Sequence, residues 1–241
     1  MKSVHYETLY RHEEKHWWYA VRRHLVHDLI HAYTKGASLA ILDIGCGTGA
    51  LTKELERYGS ATGIDFSQQA VDFCRSRGVN DVRLGSVEAT GCAPDSFDAV
   101  LCLDVLEHLP DDETGIAEIH RVLKPGATAI IFVPTFQSLW SVTDEVSLHF
   151  RRYRLPVLLE KFERLGFTIE RKSYFNTFLF PLIALVRISV RLLHIKMESE
   201  AETGDGMLNK ILYFIFDIER RCLKFINFPF GVSGMIVAKK K

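Results

Sequence analysis

Cysteine is scarce, neither sign of charge is in surplus, and no apolar run is long enough to cross a bilayer. The five cysteines, Cys46, Cys74, Cys92, Cys102 and Cys222, are odd in number, widely spaced and never in a CxxC pair. This argues against a disulfide framework or a cysteine zinc site and points to a reducing, cytoplasmic compartment. Lys+Arg 30 balance Asp+Glu 30, so no bulk positive field exists to coat nucleic acid. MKSVHYETLYRHEEKHWWY, the first stretch, lacks the apolar centre of a secretory signal. SYFNTFLFPLIALV at 173–186 falls short of the roughly 20 residues a spanning helix needs, is interrupted by Asn176 and Pro181, and stops at Arg187. Internal repeats and low-complexity tracts are absent.

What remains is ordinary globular material: 241 residues, 47% hydrophobic and 25% charged, with Phe frequent at 16. The pattern predicts a helix over 1–35, with Leu25, Leu29 and Ile30 on one stripe and Gly36 as a stop. Strands are expected at 39–44, 61–66, 81–85, 97–103, 128–133, 167–174 and 233–239, with helices between most of them. Lys124-Pro125-Gly126 reads as a turn, and Pro156 as the first turn of a helix that stops at Gly166. Alternation of this kind calls for an α/β fold with a doubly wound, mostly parallel sheet of seven strands. The expected organisation is an N-terminal helical cap over 1–37 and a main domain over 38–241. A helical, apolar insertion at 175–230 precedes the last strand, and its acidic middle, ESEAETGDG at 198–206, reads as a loop.

The first strand runs into Gly45-Cys46-Gly47-Thr48-Gly49. Closely spaced glycines let a ligand approach the backbone, and a helix start offers N–H donors. Ala50 stands where a dinucleotide fingerprint needs its third glycine, and no Lys-Ser/Thr follows, which excludes a P-loop. Asp65 ends the next strand, where a carboxylate can take both hydroxyls of a ribose. LDIGCGTG, GIDFS, FDAVLCLDVLEHLPD and LKPGA occur in order over about 38–135. This succession resembles class I S-adenosylmethionine-dependent methyltransferases of the broad type 11 group, with their Rossmann-like methyltransferase fold.

The resemblance implies S-adenosylmethionine as cofactor. Asp43, Gly45, Cys46, Gly47 and Gly49 would surround its methionine part, and Asp65 would bind the ribose. Phe66 would lie against the adenine, with Ser86 and Val87 near the adenine amino group. Ser86 stands where the family often has Asp. Leu103 and Asp104 would line the cleft. Methyl transfer is an in-line displacement, so such a site must align the groups, exclude water and take one proton from the acceptor, and needs no metal.

Three segments can reach the carboxyl edge of the sheet, where ligands bind in this architecture: the N-terminal helix, the 134–156 connection and the insertion. Arg23, Arg151 and Arg152 would meet an anionic acceptor group, with Trp17, Trp18 and Tyr153 beside it. The alternative is that the arginines pair with surface acids and the tryptophans staple the helix down. For the base, His149 comes first and His16 second. Asp104, Glu107, His108 and His149 resemble a carboxylate–His set with which some quinone and RNA methyltransferases hold a divalent ion, although Asp104 stands where Glu is usual. The insertion suits three uses: a helix in the inner membrane face, where Arg187 and Arg191 share a side, a hairpin over its own core, or a homodimer interface. The expected function is methyl transfer to a small or lipid-like, anionic acceptor, at oxygen before nitrogen, with no nucleic-acid partner. The alternative is a non-catalytic S-adenosylmethionine-binding, regulatory protein.

Overall fold

The computed structural model describes residues 3–192 and 206–241. The acidic loop expected at 198–206 therefore lies outside the described residues except for Gly206, as does the side chain of Arg191.

Seven strands form one sheet: β1 (Leu39–Ile44), β2 (Gly59–Asp65), β3 (Asp81–Leu84), β4 (Phe97–Leu103), β5 (Leu123–Pro134), β6 (Phe167–Phe175) and β7 (Ser233–Lys240). Their order is β3-β2-β1-β4-β5-β7-β6, with β7 antiparallel to both β5 and β6 and the other pairs parallel. The expected fold class holds. The central strands read as continuous apolar runs because helices cover both faces. Alternate residues of β1 enter different cores: Leu42 and Ile44 face one, Ile41 the other. The first core is closed by α5 (Asp112–Val122) and α7 (Leu155–Arg164), the second by α2 (Trp17–Tyr33) and α9 (Met207–Leu223). Also present are α1 (Ser3–His12), α3 (Ala50–Leu55), α4 (Gln68–Ser76), α6 (Val142–Val146) and α8 (Phe180–Leu192). Among the described residues no helix is long and apolar enough to cross a membrane.

Three local expectations need correction. The single N-terminal helix is two, broken at 13–16, because tertiary partners capture the break. Asn209 of α9 accepts the Trp17 amide at 2.8 Å and donates to the Lys15 carbonyl at 3.0 Å, while Glu13 bonds Thr48. Lys124-Pro125-Gly126 is a bulge inside β5 rather than a turn before it: Leu123 already pairs Phe97, and the register shifts before Thr128 pairs Ala99. The connection after β5 carries α6, which periodicity over five residues does not announce. The insertion does form two helices, α8 and α9, and leaves β6 at the carboxyl edge of the sheet.

Candidate active site

At that edge a cavity of about 830 Å³ opens between the strand ends and α1, α2 and α8. One end is built by the glycine loop. Gly45 and Gly49 have φ of +73° and +85°, in the region that side chains disfavour. A Cβ on Gly45 would come within 2.3 Å of Val105, and one on Gly49 within 2.8 Å of the Cys74 sulfur. The amides of Gly45, Cys46 and Gly47 are not free donors, contrary to expectation. Those of Gly45 and Cys46 bond the Ile64 carbonyl at 2.7 and 3.0 Å, and that of Gly47 donates to Asp65 Oδ2 at 3.0 Å. The loop is thus fixed in advance and presents Cα surface to the cavity.

Two buried acids stand behind it. Asp43 accepts the Thr52 hydroxyl at 2.6 Å, and burial, only partly offset by that bond, pushes its carboxyl up to about 7. Asp65 Oδ1 accepts from the Ser67 amide at 3.0 Å and from the Tyr6 hydroxyl at 3.2 Å. Burial raises the Asp65 carboxyl, against the pull of the Ser67 and Gly47 amides. Phe66, Ser86, Val87, Leu103 and Asp104 line the same cavity.

The other end is a cluster of charge. His149 Nδ1 lies 2.9 Å from Asp144 Oδ1, and its Nε2 lies 3.9 Å from Glu107 Oε1. Asp144 is fully buried and also accepts Arg152 Nε and the Ser141 amide, each at 2.8 Å. Burial alone would raise its carboxyl. Bonds from His149 and Arg152 and the Ser141 amide outweigh that and hold it at about 2. The His108 ring sits 4.6 Å from the His149 ring; burial, then the neighbouring imidazole, push its pKa down to about 4. Glu107 is fully buried, and neither of its carboxylate oxygens has a hydrogen-bond partner. Burial and the nearby Asp104 carboxylate push its pKa well up. Among the described residues, Glu107, His108 and His149 bring ligand atoms within 4.8 Å of one another, the spacing a metal ion would need, and Asp104 stays outside that group. Asp104 instead pairs with Arg22, whose guanidinium lies 5.1 Å from the Trp18 ring centre and 5.6 Å from that of Phe132.

Several expected site residues lie elsewhere. Gly49 does not line the cavity; it caps α3 against Cys74 and Val79. His16 caps α2 by accepting the Trp18 amide and stays off the cavity wall, so it is not placed to act as a base. Trp17 packs edge-on against Phe216 at 5.9 Å, the staple alternative. Arg151 donates to the Leu109 and Pro110 carbonyls at 2.9 and 2.6 Å, and the buried Tyr153 hydroxyl donates to Asp112 at 3.0 Å; neither residue lines the cavity. Trp18, Arg23 and Arg152 do line it, but Arg23 is paired with Glu54 at 3.0 Å and Arg152 with Asp144. Sequence reasoning missed Tyr6 and Asp144 as candidate site positions, and gave Glu13 and Arg22 only as residues of the N-terminal helix that reach the rim, with no role. Of the two missed, Asp144 carried a signal, the Ser141-x-x-Asp144 capping pattern just before His149.

Residues 42–131 match a family model described as a methyltransferase domain. Curated proteins similar to this chain include ubiquinone biosynthesis O-methyltransferases. That of Methylococcus capsulatus is 38% identical over 109 residues, 42% of this chain and 46% of that protein. One from Xanthomonas oryzae pv. oryzae is 38% identical over 106 residues, 41% of this chain and 44% of that protein. The matched part thus spans less than half the length of these relatives. Among solved structures, Haemonchus contortus phosphoethanolamine N-methyltransferase 2 in complex with S-adenosyl-L-methionine superposes with a TM-score of 0.59 at 19% identity, covering 90% of this chain and 52% of that one. The [4+2]-cyclase SpnF superposes with a TM-score of 0.60 at 21% identity, covering 92% and 81%. At such identities the likeness is one of fold.

Proposed function

We propose that this chain, a class I methyltransferase by its fold and by the match over residues 42–131, transfers a methyl group to an oxygen of a small or lipid-like acceptor. S-adenosylmethionine, when bound, supplies the methyl group on a sulfonium that leaves as a neutral thioether. The observation that carries the reading is one cavity with a glycine loop and an inward carboxylate at one end and a carboxylate-oriented histidine at the other. Fold alone would not decide, since a cyclase shares it.

Asp65 takes the ribose hydroxyls, and Phe66, Ser86 and Val87 flank the adenine. His149 takes the acceptor proton at Nε2. Asp144, ionised and bonded to Nδ1, fixes that tautomer and stabilises the imidazolium that forms. Arg22 has a buried Nε with no hydrogen-bond partner, a donor that an anionic group of the acceptor would satisfy. A second reading concerns a divalent ion. Glu107, His108 and His149 fit one: two imidazoles flank a buried carboxylate whose oxygens are unmatched, and His108 is held neutral. They would hold the ion beside the acceptor oxygen, where it would lower that oxygen's pKa.

A lipid-like acceptor is supported by the cavity mouth. Phe66, Leu148 and Phe150 line the cavity and are 62%, 65% and 58% exposed. Of the 19 large apolar side chains exposed among the described residues, 13 fall within 178–230. On α8, Arg187 lines the cavity while Leu182, Leu185 and Val186 face solvent. A helix so arranged rests on a membrane surface with the cavity mouth beside it.

The test is transfer of labelled methyl from S-adenosylmethionine into a panel of phenolic and polyprenyl-linked acceptors. His149→Ala is expected to lose roughly 10²–10⁴-fold in turnover while binding S-adenosylhomocysteine as wild type does. Undiminished turnover removes His149 as the base. Tight cofactor binding with no transfer to any acceptor favours the regulatory alternative.

A further inference from the structure

On the premise that Asp65 binds the cofactor's ribose, we propose that α1 is a hinged strap over the cofactor end of the cavity. Tyr6 holds Asp65 when the cofactor is absent, and Arg77 latches the strap. Cofactor exchange then requires α1 to lift.

Tyr6, Leu9 and Glu13 line the cavity at the spacing of one helical face. They meet, in turn, Asp65, Gly47 and Thr48. The Tyr6 side chain is 2% exposed and its hydroxyl donates to Asp65 Oδ1 at 3.2 Å. Leu9 lies 3.4 Å from where a Cβ on Gly47 would be, and the Thr48 hydroxyl donates to Glu13 Oε1. The Ser67 and Gly47 amides hold Asp65 from its own side of the cavity wall, so Tyr6 is the contact that reaches it from α1. A phenol and a ribose hydroxyl are the same kind of donor. The chain therefore satisfies its buried carboxylate with the group a ribose would replace, and the exchange costs little in hydrogen bonds.

Two body residues hold α1 by its Tyr10: the Phe73 ring of α4 stacks on it at 4.7 Å, and Arg77 bonds it. Arg77, just beyond α4, donates Nε to the Thr48 carbonyl at 3.0 Å. Its other nitrogens reach Glu13 at 2.7 Å, Glu14, and the Tyr10 carbonyl at 3.3 Å, and its guanidinium lies 4.5 Å from the Tyr10 ring centre. Glu13 and Glu14 belong to the pivot at 13–16, which is also held without Arg77. Arg23 donates to the Glu13 and Glu14 carbonyls, and Asn209 bonds Lys15 and Trp17. α2 buries six side chains, from Ala20 to Ile30, whereas in the described part of α1 only Tyr6 is buried. So α1 can lift while α2 stays in the core.

Stopped-flow binding of S-adenosylhomocysteine tests this. Arg77→Ala is expected to raise both association and dissociation rates roughly tenfold, and Tyr6→Phe to speed association with little change in release. Hydrogen exchange on the unmodified protein gives an independent reading: amides of 3–13 exchange faster than those of α2, and S-adenosylhomocysteine slows them. Rates within about twofold of wild type in Arg77→Ala, or α1 amides as protected as α2 in the free protein, overturn the strap. If Arg77→Ala does not fold, Tyr6→Phe and the exchange data decide. Wild-type protein that takes up no S-adenosylhomocysteine overturns the methyl-transfer reading as well; normal uptake with unaltered rates overturns the strap alone.

Discussion

Substituting Asp65 by Asn removes one charged acceptor from the cofactor end while keeping its volume. The carboxylate is 5% exposed, with Oδ1 shared between the Ser67 amide and the Tyr6 hydroxyl and Oδ2 taken by the Gly47 amide. Asn keeps one acceptor oxygen and turns the other position into a donor, which then faces either Gly47 N–H or a ribose hydroxyl. A hydrogen bond to a charged group contributes about 1.5–3 kcal/mol. Loss of one such bond weakens S-adenosylhomocysteine binding by roughly 10- to 150-fold. Asp65→Ala removes both contacts and also orphans two amides, at about 1–3 kcal/mol each, so it is the variant for melting experiments and Asn the one for affinity. Isothermal titration calorimetry reads the affinity, and circular dichroism checks that the Asn variant is folded. A folded Asp65→Asn protein whose Kd stays within about threefold of wild type refutes the ribose role.

Asp144 is held at about 2 against an unfolded value near 4, so its contribution to stability is complete above the unfolded value and lost as pH falls through about 2. Asp144→Asn should cost about 2 kcal/mol at pH 7 and only a small part of that, roughly 0.4 kcal/mol, near pH 2, read from urea midpoints; a constant difference across that range would contradict it. For the divalent ion, Mn²⁺ should raise the melting temperature of the wild type but not of Glu107→Gln, and a wild type indifferent to Mn²⁺ removes the metal reading. For the membrane, the intact protein should co-sediment with phosphatidylglycerol-containing vesicles, and Leu185→Asp combined with Phe225→Asp should weaken this roughly tenfold. If the same pair of changes instead dissociates a dimer seen by light scattering, the apolar face belongs to a second copy.

The sheet was legible because its information is local. A buried parallel strand such as Leu39–Ile44 must be apolar throughout, and Gly45 and Gly49 must be glycine where φ is positive. Asp43, Phe66 and Asp104 were legible through the family resemblance and Asp65 also from its place at a strand end; all four line the cavity because strand ends define it. The acceptor side was harder because its residues come from separate elements. Arg22 and Arg23 are neighbours on one helix, and only the docking angle of α2 decides that Arg22 turns to Asp104 and Arg23 to Glu54. Arg151 and Arg152 diverge for the opposite reason: in extended backbone successive side chains point to opposite faces, so one meets Asp144 and the other the Leu109 carbonyl. No periodicity carries the pairing of Tyr6 with Asp65, separated by 59 residues.

Backbone strain marks the same edge. Of the five non-glycine residues with positive φ among the described residues, Asp104 follows β4, Phe136 follows β5, Asn176 follows β6, and Leu148 lines the cavity; Asp95 alone lies away from it. An L-residue in that region costs roughly 1–2 kcal/mol, and a fold keeps such a cost where the side chain is needed. Leu148 separates the two effects cleanly, because its side chain is 65% exposed and contributes little to the core. Leu148→Gly relieves φ of +59° and should stabilise the chain by about 1 kcal/mol, a rise of roughly 2–4 °C in Tm. It also removes an apolar contact at the cavity mouth, so turnover or vesicle binding should fall as Tm rises. If Tm rises and neither function changes, Leu148 serves only its own turn, and the apolar mouth loses one of its three supports. If Tm falls, the side chain is packed more firmly than its exposure implies, and strain is not what distinguishes this edge.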